Sequence, residues 1–194
     1  VHGVGPHTIS VPRVKPAMDI DPDVFDNGIP DEMFEKIIAL IRITVPYTGM
    51  IISTRESQQV REHALQYGVS QISAFAHQPE RPHDTEQFDV SDQRTLDEVV
   101  SWLMDNDHIP SFCTACYRAG RTGDRFMSFC KNGQILNYCH PNALMTLTEY
   151  LADYEKGLAM VKHELLNIPN EKTRALTEKH IGEILSGTGN DFRF

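Results

Sequence analysis

The sequence predicts an α/β fold with parallel strands and crossover helices, followed by a mostly helical region that carries every cysteine. Three observations lead there. Strand-length apolar runs alternate with helical periodicity over residues 1–78. A polar, proline-bearing stretch, 78–92, then interrupts the pattern and reads as a connection, which divides the chain into 1–78 and 79–194. All four cysteines, at 113, 116, 130 and 139, fall in the second part.

Thr8-Ile-Ser-Val11 is a short strand ended by Pro12. Residues 31–44 read as a helix: Pro30 opens it, Asp31 and Glu32 occupy the first turn, and Met33, Phe34, Ile37, Ile38 and Ile41 make one apolar face. Gly49-Met-Ile-Ile-Ser-Thr54 is a buried strand. The helix over 56–67 turns Val60, Ala64 and Tyr67 to one side and stops at Gly68. Val69-Ser-Gln-Ile-Ser-Ala-Phe75 is the next strand, so the order strand–helix–strand–helix–strand implies parallel pairing. Beyond the connection, Thr95 and Glu98 form a capping box ahead of Leu96, Val99, Val100 and Leu103 at helical spacing. A helix over 142–156 points Leu144, Leu147, Leu151 and Tyr154 inward and stops near Gly157, and helix continues to Leu185 with a break near Pro169.

Composition narrows the function. With 194 residues, 40% hydrophobic and 23% charged, the chain can build an ordinary globular core. A net charge of -9 argues against nonspecific nucleic-acid binding. No apolar run approaches the roughly 20 residues that span a bilayer, and no basic stretch followed by an apolar one marks a signal peptide. A cytoplasmic protein without a membrane span is expected, and a start at Val1 reads as the middle of a longer gene product.

The cysteine spacing is Cys113-x2-Cys116-x22-Cys139. A two-residue gap lets two thiolates reach one metal from a single turn, and the third arrives through the fold. Clustering of this kind, without an export signal, favours metal or redox chemistry over a disulfide framework. Thiolates hold iron–sulfur clusters, and three of them on a 4Fe-4S cluster leave one iron corner open. Between Cys113 and Cys139 lie Arg118, Arg121, Arg125 and Lys131 against Asp124 alone, a cationic segment suited to an anionic cluster. Gly120, Gly123 and Gly133 would let backbone N–H groups approach sulfur. Zinc is the rival: a structural zinc site takes four Cys or His ligands, and His140 is the candidate fourth. Inert buried thiols and a redox pair of Cys113 and Cys116 are further readings. Cys130 fits no ligand pattern and is expected apart from the other three.

Other motifs carry less. Gly3-Val-Gly5 opens like a dinucleotide fingerprint, but Thr8 stands where the third glycine belongs. Asp19-x-Asp21-x-Asp23 opens like a calcium loop, but Val24 and Pro30 replace the glycine and glutamate it needs. His63, His163 and His180 lie in helices without partners at ligand spacing. The strand ends are richer. Ser53 and Arg55 follow a strand at its carboxyl end, where ligands of parallel sheets sit, and could hold a substrate carboxylate. The bland alternative is a helix cap with a surface Arg55–Glu56 pair. His7, Thr8 and Ser10 lie on the first strand, with Thr8 and Ser10 on one face.

Three segments, taken together, resemble a known family. Gly3-Val-Gly-Pro-His-Thr-Ile-Ser-Val-Pro-Arg13, Ser53-Thr-Arg-Glu56 and Cys113-Thr-Ala-Cys-Tyr-Arg-Ala-Gly-Arg-Thr-Gly123, with Cys139 at the x22 interval, are similar to the radical S-adenosylmethionine tyrosine lyases of FeFe-hydrogenase maturation. The first two segments are shared with the related lyases of thiazole synthesis, and the cysteine segment separates the two. The resemblance implies the last strands and helices of a TIM-type (βα) barrel, then a C-terminal auxiliary-cluster region. It implies a carbon–carbon lyase that cleaves tyrosine to p-cresol and a glycine fragment yielding carbon monoxide and cyanide. Cys113, Cys116 and Cys139 would ligate an auxiliary 4Fe-4S cluster with an extra iron, and Ser53 and Arg55 would lie by the tyrosine carboxylate, with His7, Thr8 and Ser10 nearby. S-adenosylmethionine and a second 4Fe-4S cluster belong to the complete enzyme, whose partners are other hydrogenase maturation proteins. The radical cluster needs Cys-x3-Cys-x2-Cys, which this chain lacks. The chain therefore reads as the part that follows a missing N-terminal barrel segment, without radical activity or catalytic residues of its own. The contrasting reading is a noncatalytic zinc-binding interaction module.

Overall fold

The computed structural model describes residues 5–14, 24, 28–74, 90–152 and 158–194. The chain forms two compact units, Val1–Val99 and Val100–Phe194. Among the described residues no helix is long and apolar enough to cross a membrane.

The first unit is built on β1 (Thr8–Ser10), α1 (Asp31–Thr44), β2 (Gly49–Ile52), α2 (Gln58–Gln66) and β3 (Gln71–Ile72). The three strands form one sheet in the order β1-β2-β3. Both pairings are parallel, as expected, with Thr8 opposite Gly49 and Ile51 opposite Gln71. Met50 and Ile52 of β2 are fully buried against Phe34 and Ile38 of α1, Val60 and Ala64 of α2, and Val69. Phe34 and Ile38 are four apart and so share a helix face, while Met33 lies round the side at 51% exposure, off the predicted stripe. Tyr67 likewise follows the end of α2 and stays exposed. The third strand is shorter than expected, and Phe75 lies outside the described residues, as do nearly all of the predicted connection and the aspartates of the calcium-like segment.

Arg42 closes the ends of this layer. Its guanidinium donates to the carbonyls of Val45, Pro46 and Thr48 after α1, and to Gly68 O after α2 at 2.7 Å. Gly68 has φ +95°, and a Cβ there would fall 2.9 Å from Arg42 Cγ, so both conformation and space call for glycine.

The α3 helix (Leu96–Asp105) begins with the predicted capping box: Thr95 N donates to Glu98 Oε2 at 2.7 Å, and Glu98 N donates to Thr95 Oγ1 at 3.3 Å. Leu96 sits in the first turn and is exposed, while Val99, Val100 and Leu103 are buried. The second unit then contains α4 (Ala115–Arg118), α5 (Gly123–Lys131), α6 (Leu136–Leu151), α7 (Leu158–Leu165) and α8 (Glu171–Leu185). Its core gathers Leu144, Met145, Leu147 and Leu151 of α6 against Val161, Leu165, Ile168, Ile181 and Ile184. Every residue from Pro141 to Thr148 is buried, so α6 is the central helix of the unit. Its buried hydroxyls bond back to their own helix, Thr148 Oγ1 to Leu144 O at 2.7 Å, which satisfies them without water. The sequence placed this helix from 142 onward. It starts at Leu136 instead and carries Pro141 inside, because losing a single N–H one turn from the start is tolerable when the following turns are wholly buried. Tyr154 and Gly157 fall outside the described residues.

Candidate metal centre and polar sheet face

Alternation assigns the two faces of the sheet. Met50 and Ile52 take the helix side, so Gly49 and Ile51 present the other, and the register adds Thr8, Ser10 and Gln71 to it. A Cβ on Gly49 would meet Gln71 Nε2 at 3.1 Å and Thr8 Oγ1 at 3.3 Å, so glycine here makes room for two polar ends. His7 comes just before β1, and its Nδ1 lies 2.9 Å from Thr8 Oγ1. Ser53 follows β2 and accepts from Arg55 twice, from the backbone N at 3.1 Å and from Nε at 3.3 Å. The structure thus joins His7 to Thr8, and Ser53 to Arg55, with Ser10 further along the same face. Gln71 was not singled out in the sequence. The signal was there, since Gln71 and Ser73 flank Ile72, but only the register shows which face they share.

The turn bearing Ser53 and Arg55 is held from below. Glu56, which the alternative cap reading puts on the surface, is 2% exposed and pairs with Arg13. Arg13 also reaches Ile29 O and Asp31 at 2.8 Å, and its guanidinium lies 4.4 Å from the Phe34 ring centre. Thr54 O accepts from both Ser91 N and Asp92 N at 3.0 Å. Asp92 is buried with Arg61 and takes Arg94 Nη2 at 2.7 Å. Burial alone would raise the Asp92 carboxyl, but hydrogen bonds from Arg94 and the nearby Arg61 charge outweigh it and hold the group below its ordinary range.

The cysteines belong to the second unit. Cys113 precedes α4 and Cys116 lies within it; Cys130 is on α5 and Cys139 on α6. Ala115 N donates to Cys113 Sγ at 3.4 Å, the turn that a two-residue gap produces. Upstream, Phe112 N donates to Thr146 Oγ1 of α6 at 3.2 Å, and the Phe112 ring stacks on Tyr150 at 5.0 Å. The same helix therefore anchors the entry to the cysteine segment and carries its last cysteine. Gly120, Gly123 and Gly133 have φ of +61°, +55° and +75°, and a Cβ on any of them would meet nothing within 4 Å. They serve left-handed turns rather than close packing.

Charge links the sulfurs. The Cys139 residue counts as exposed, yet its packed surroundings, then Cys116, Cys113 and Cys130, push its thiol up to about 11, with Arg121 acting against them. Burial and Cys116 raise the Cys130 thiol in the same way. The Cys130 charge is thus among those that act on Cys139. Among the described residues no three His, Cys, Asp or Glu side chains stand in ligating geometry. The donor chemistry nonetheless suits a thiolate-bound metal, which displaces thiol protons and relieves the crowding of like charges. Arg121 supplies a second fit: its Nε is buried and, among the described residues, has no hydrogen-bond partner. His140, the candidate zinc ligand, has Nε2 3.7 Å from Glu164 on α7.

Two comparisons with known proteins place the chain in a family. The family described as Biotin and Thiamin Synthesis associated domain matches residues 10–109. No curated protein matches the chain. Among solved structures, the crystal structure of HydG, a maturase of the FeFe-hydrogenase, matches with a TM-score of 0.90 and 46% identity over 99% of this chain. The chain covers 44% of that protein, less than half its length. The chain therefore belongs to the Biotin and Thiamin Synthesis associated domain family, the C-terminal domain of radical S-adenosylmethionine enzymes such as HydG.

Proposed function

We propose that the chain is the C-terminal part of a radical S-adenosylmethionine tyrosine lyase of hydrogenase maturation. In this reading residues 1–78 close a TIM-type barrel begun by an upstream segment, and 79–194 form the auxiliary-cluster region. The observation that carries it is 46% identity to HydG along 99% of the chain, with the Cys-x2-Cys-x22-Cys pattern inside the matched part. The polar sheet face supports a substrate role: a tyrosine carboxylate would take the Arg55 guanidinium and the Ser53 hydroxyl, with Thr8, Ser10 and His7 lining the same side. Cys113, Cys116 and Cys139 would hold an auxiliary 4Fe-4S cluster, which with an extra iron would supply an acceptor for carbon monoxide and cyanide. S-adenosylmethionine and its own 4Fe-4S cluster would be bound upstream, and other maturation proteins would receive the product in the cytoplasm.

A zinc-binding interaction module is the second reading. One observation favours it: the Cys130 charge acts on Cys139 as those of Cys116 and Cys113 do, and a fourth thiolate would suit zinc, with no three of these side chains in ligating geometry among the described residues. Anaerobic reconstitution followed by iron, sulfide and zinc analysis separates the two. Cys113→Ala, Cys116→Ala and Cys139→Ala should each lose iron and sulfide and the reduced-cluster EPR signal, while Cys130→Ala retains them. Stoichiometric zinc without sulfide, lost in Cys130→Ala, would establish the zinc module instead.

A further inference from the structure

Four cations lie between Cys113 and Cys139, but they are not equivalent. Arg118 is about half exposed and is bound to Asp191 at 2.8 Å, which meets its charge. Arg125 and Lys131 are exposed. Arg121 alone among them is buried, at 8% exposure. Its place is fixed from three directions. The backbone N donates to Cys116 O at 2.8 Å, Nη2 donates to Phe194 O at 2.6 Å, and the guanidinium lies 4.7 Å from the Tyr138 ring centre. Phe194 N is in turn held by Asn142 Oδ1 of α6 at 2.8 Å. A buried N–H left without a partner costs about 1–3 kcal/mol, so a ligand that accepts from it is favoured. The Arg121 Nε–H is not satisfied within the described protein. The ring beside it belongs to Tyr138, adjacent to Cys139, and the Arg121 backbone N is bonded to the Cys116 carbonyl, so the guanidinium is tied to both ends of the cysteine segment's last interval.

We propose that Arg121 is a cofactor-binding residue, whose buried Nε–H donates to a sulfur of the cluster held by Cys113, Cys116 and Cys139. This rests on the cluster reading of the site. The residue matches what an anionic sulfur-rich group asks of its surroundings: a fixed cation and a directed donor. A hydrogen bond to sulfur favours the more negative, reduced state, so Arg121 raises the cluster's reduction potential and slows its loss. Arg118, half exposed and turned to Asp191, does neither.

The test uses the full 194-residue chain reconstituted anaerobically with iron and sulfide. Spectroelectrochemical midpoint potentials and the rate of iron release to a chelator are measured for wild type, Arg121→Gln, Arg121→Lys and Arg118→Gln. In Arg121→Gln the potential should move negative and release should quicken by about 10-fold, the scale of lost outer-shell contacts. Arg121→Lys, which keeps the charge and loses the fixed Nε–H, should fall between that variant and wild type, and Arg118→Gln should match wild type. If Arg121→Gln does not fold, Arg121→Lys decides, and a potential and release rate equal to wild type overturn the proposal. A cluster indifferent to both Arg121 substitutions, or equally sensitive to Arg118→Gln, overturns it while leaving the cluster reading intact. A wild-type chain that takes up no iron and sulfide overturns the cluster reading and this inference together.

Discussion

Removing the Glu56 carboxylate should destabilise the first unit far more than a surface substitution, and removing its partner as well should restore most of the loss. Glu56 and Arg13 are almost fully buried, with side-chain exposures of 2% and 7%. Breaking such a pair from one side leaves an uncompensated charge and typically costs about 3–5 kcal/mol. Arg13 keeps Ile29 O and the exposed Asp31, which places Glu56→Ala at the lower end, about 3 kcal/mol. In the double variant Arg13→Met with Glu56→Leu, both charges are gone and the site is packed between Phe34 and the β2 turn. Apolar replacement of buried pairs is commonly neutral within a few kcal/mol, so the double variant should lie within about 1 kcal/mol of wild type. Urea unfolding followed by circular dichroism gives the three free energies, and the cycle gives the coupling. Additive losses, with the double variant less stable than either single one, would refute the view that desolvated charge governs this turn.

Three further outcomes follow from the same structure. Asp92 is held below its ordinary carboxyl range in the folded chain, so its contribution is present above the unfolded value of about 4 and disappears as pH falls through the lower folded value; stability measured by urea unfolding should decline below about pH 4, and less so in Asp92→Asn. Gly68→Ala combines a φ of +95° with a 2.9 Å approach to Arg42 and should lower the thermal midpoint, the cost being about 1–2 kcal/mol. The isolated, reconstituted chain carries no Cys-x3-Cys-x2-Cys, so chromatography should find no 5′-deoxyadenosine after incubation with S-adenosylmethionine and a reductant.

Much of the fold was legible because local chemistry and burial agree. The α1 helix has the predicted bounds, since an acidic first turn and an i, i+4 apolar pair reinforce each other. The capping box of α3 is a local contact and needs no tertiary information. What the sequence hid was long-range. Arg61 reads as a surface residue of an amphipathic helix, yet it is fully buried because Asp92, 31 positions later, returns to meet it. Glu56 stands next to Arg55 in sequence, yet it is buried and meets Arg13, 43 positions upstream, which no local pattern announces. The polar face of the sheet could be listed by alternation but not oriented until Met50 and Ile52 were seen against the helices. Cysteine spacing named a candidate ligand set, but not which helix would carry each thiol, because nothing in an interval says where a helix will turn.

The anchoring of the cysteine segment on α6 bears on what its spacing means. Phe112 is tied to Thr146 and Cys139 is part of the helix itself, so both ends of the segment are set by one rigid body. The segment is a tethered loop whose closure is provided by the helix, and closure entropy grows only with the logarithm of length. Adding three residues to the 22 between Cys116 and Cys139, at the open turn around Gly133, would cost about 0.1 kcal/mol in closure and would leave the anchors unmoved. The interval is therefore not a ruler that positions the thiols. Position comes from the helix, and a homologous segment of different length on the same helix would present its outer two sulfurs in the same place.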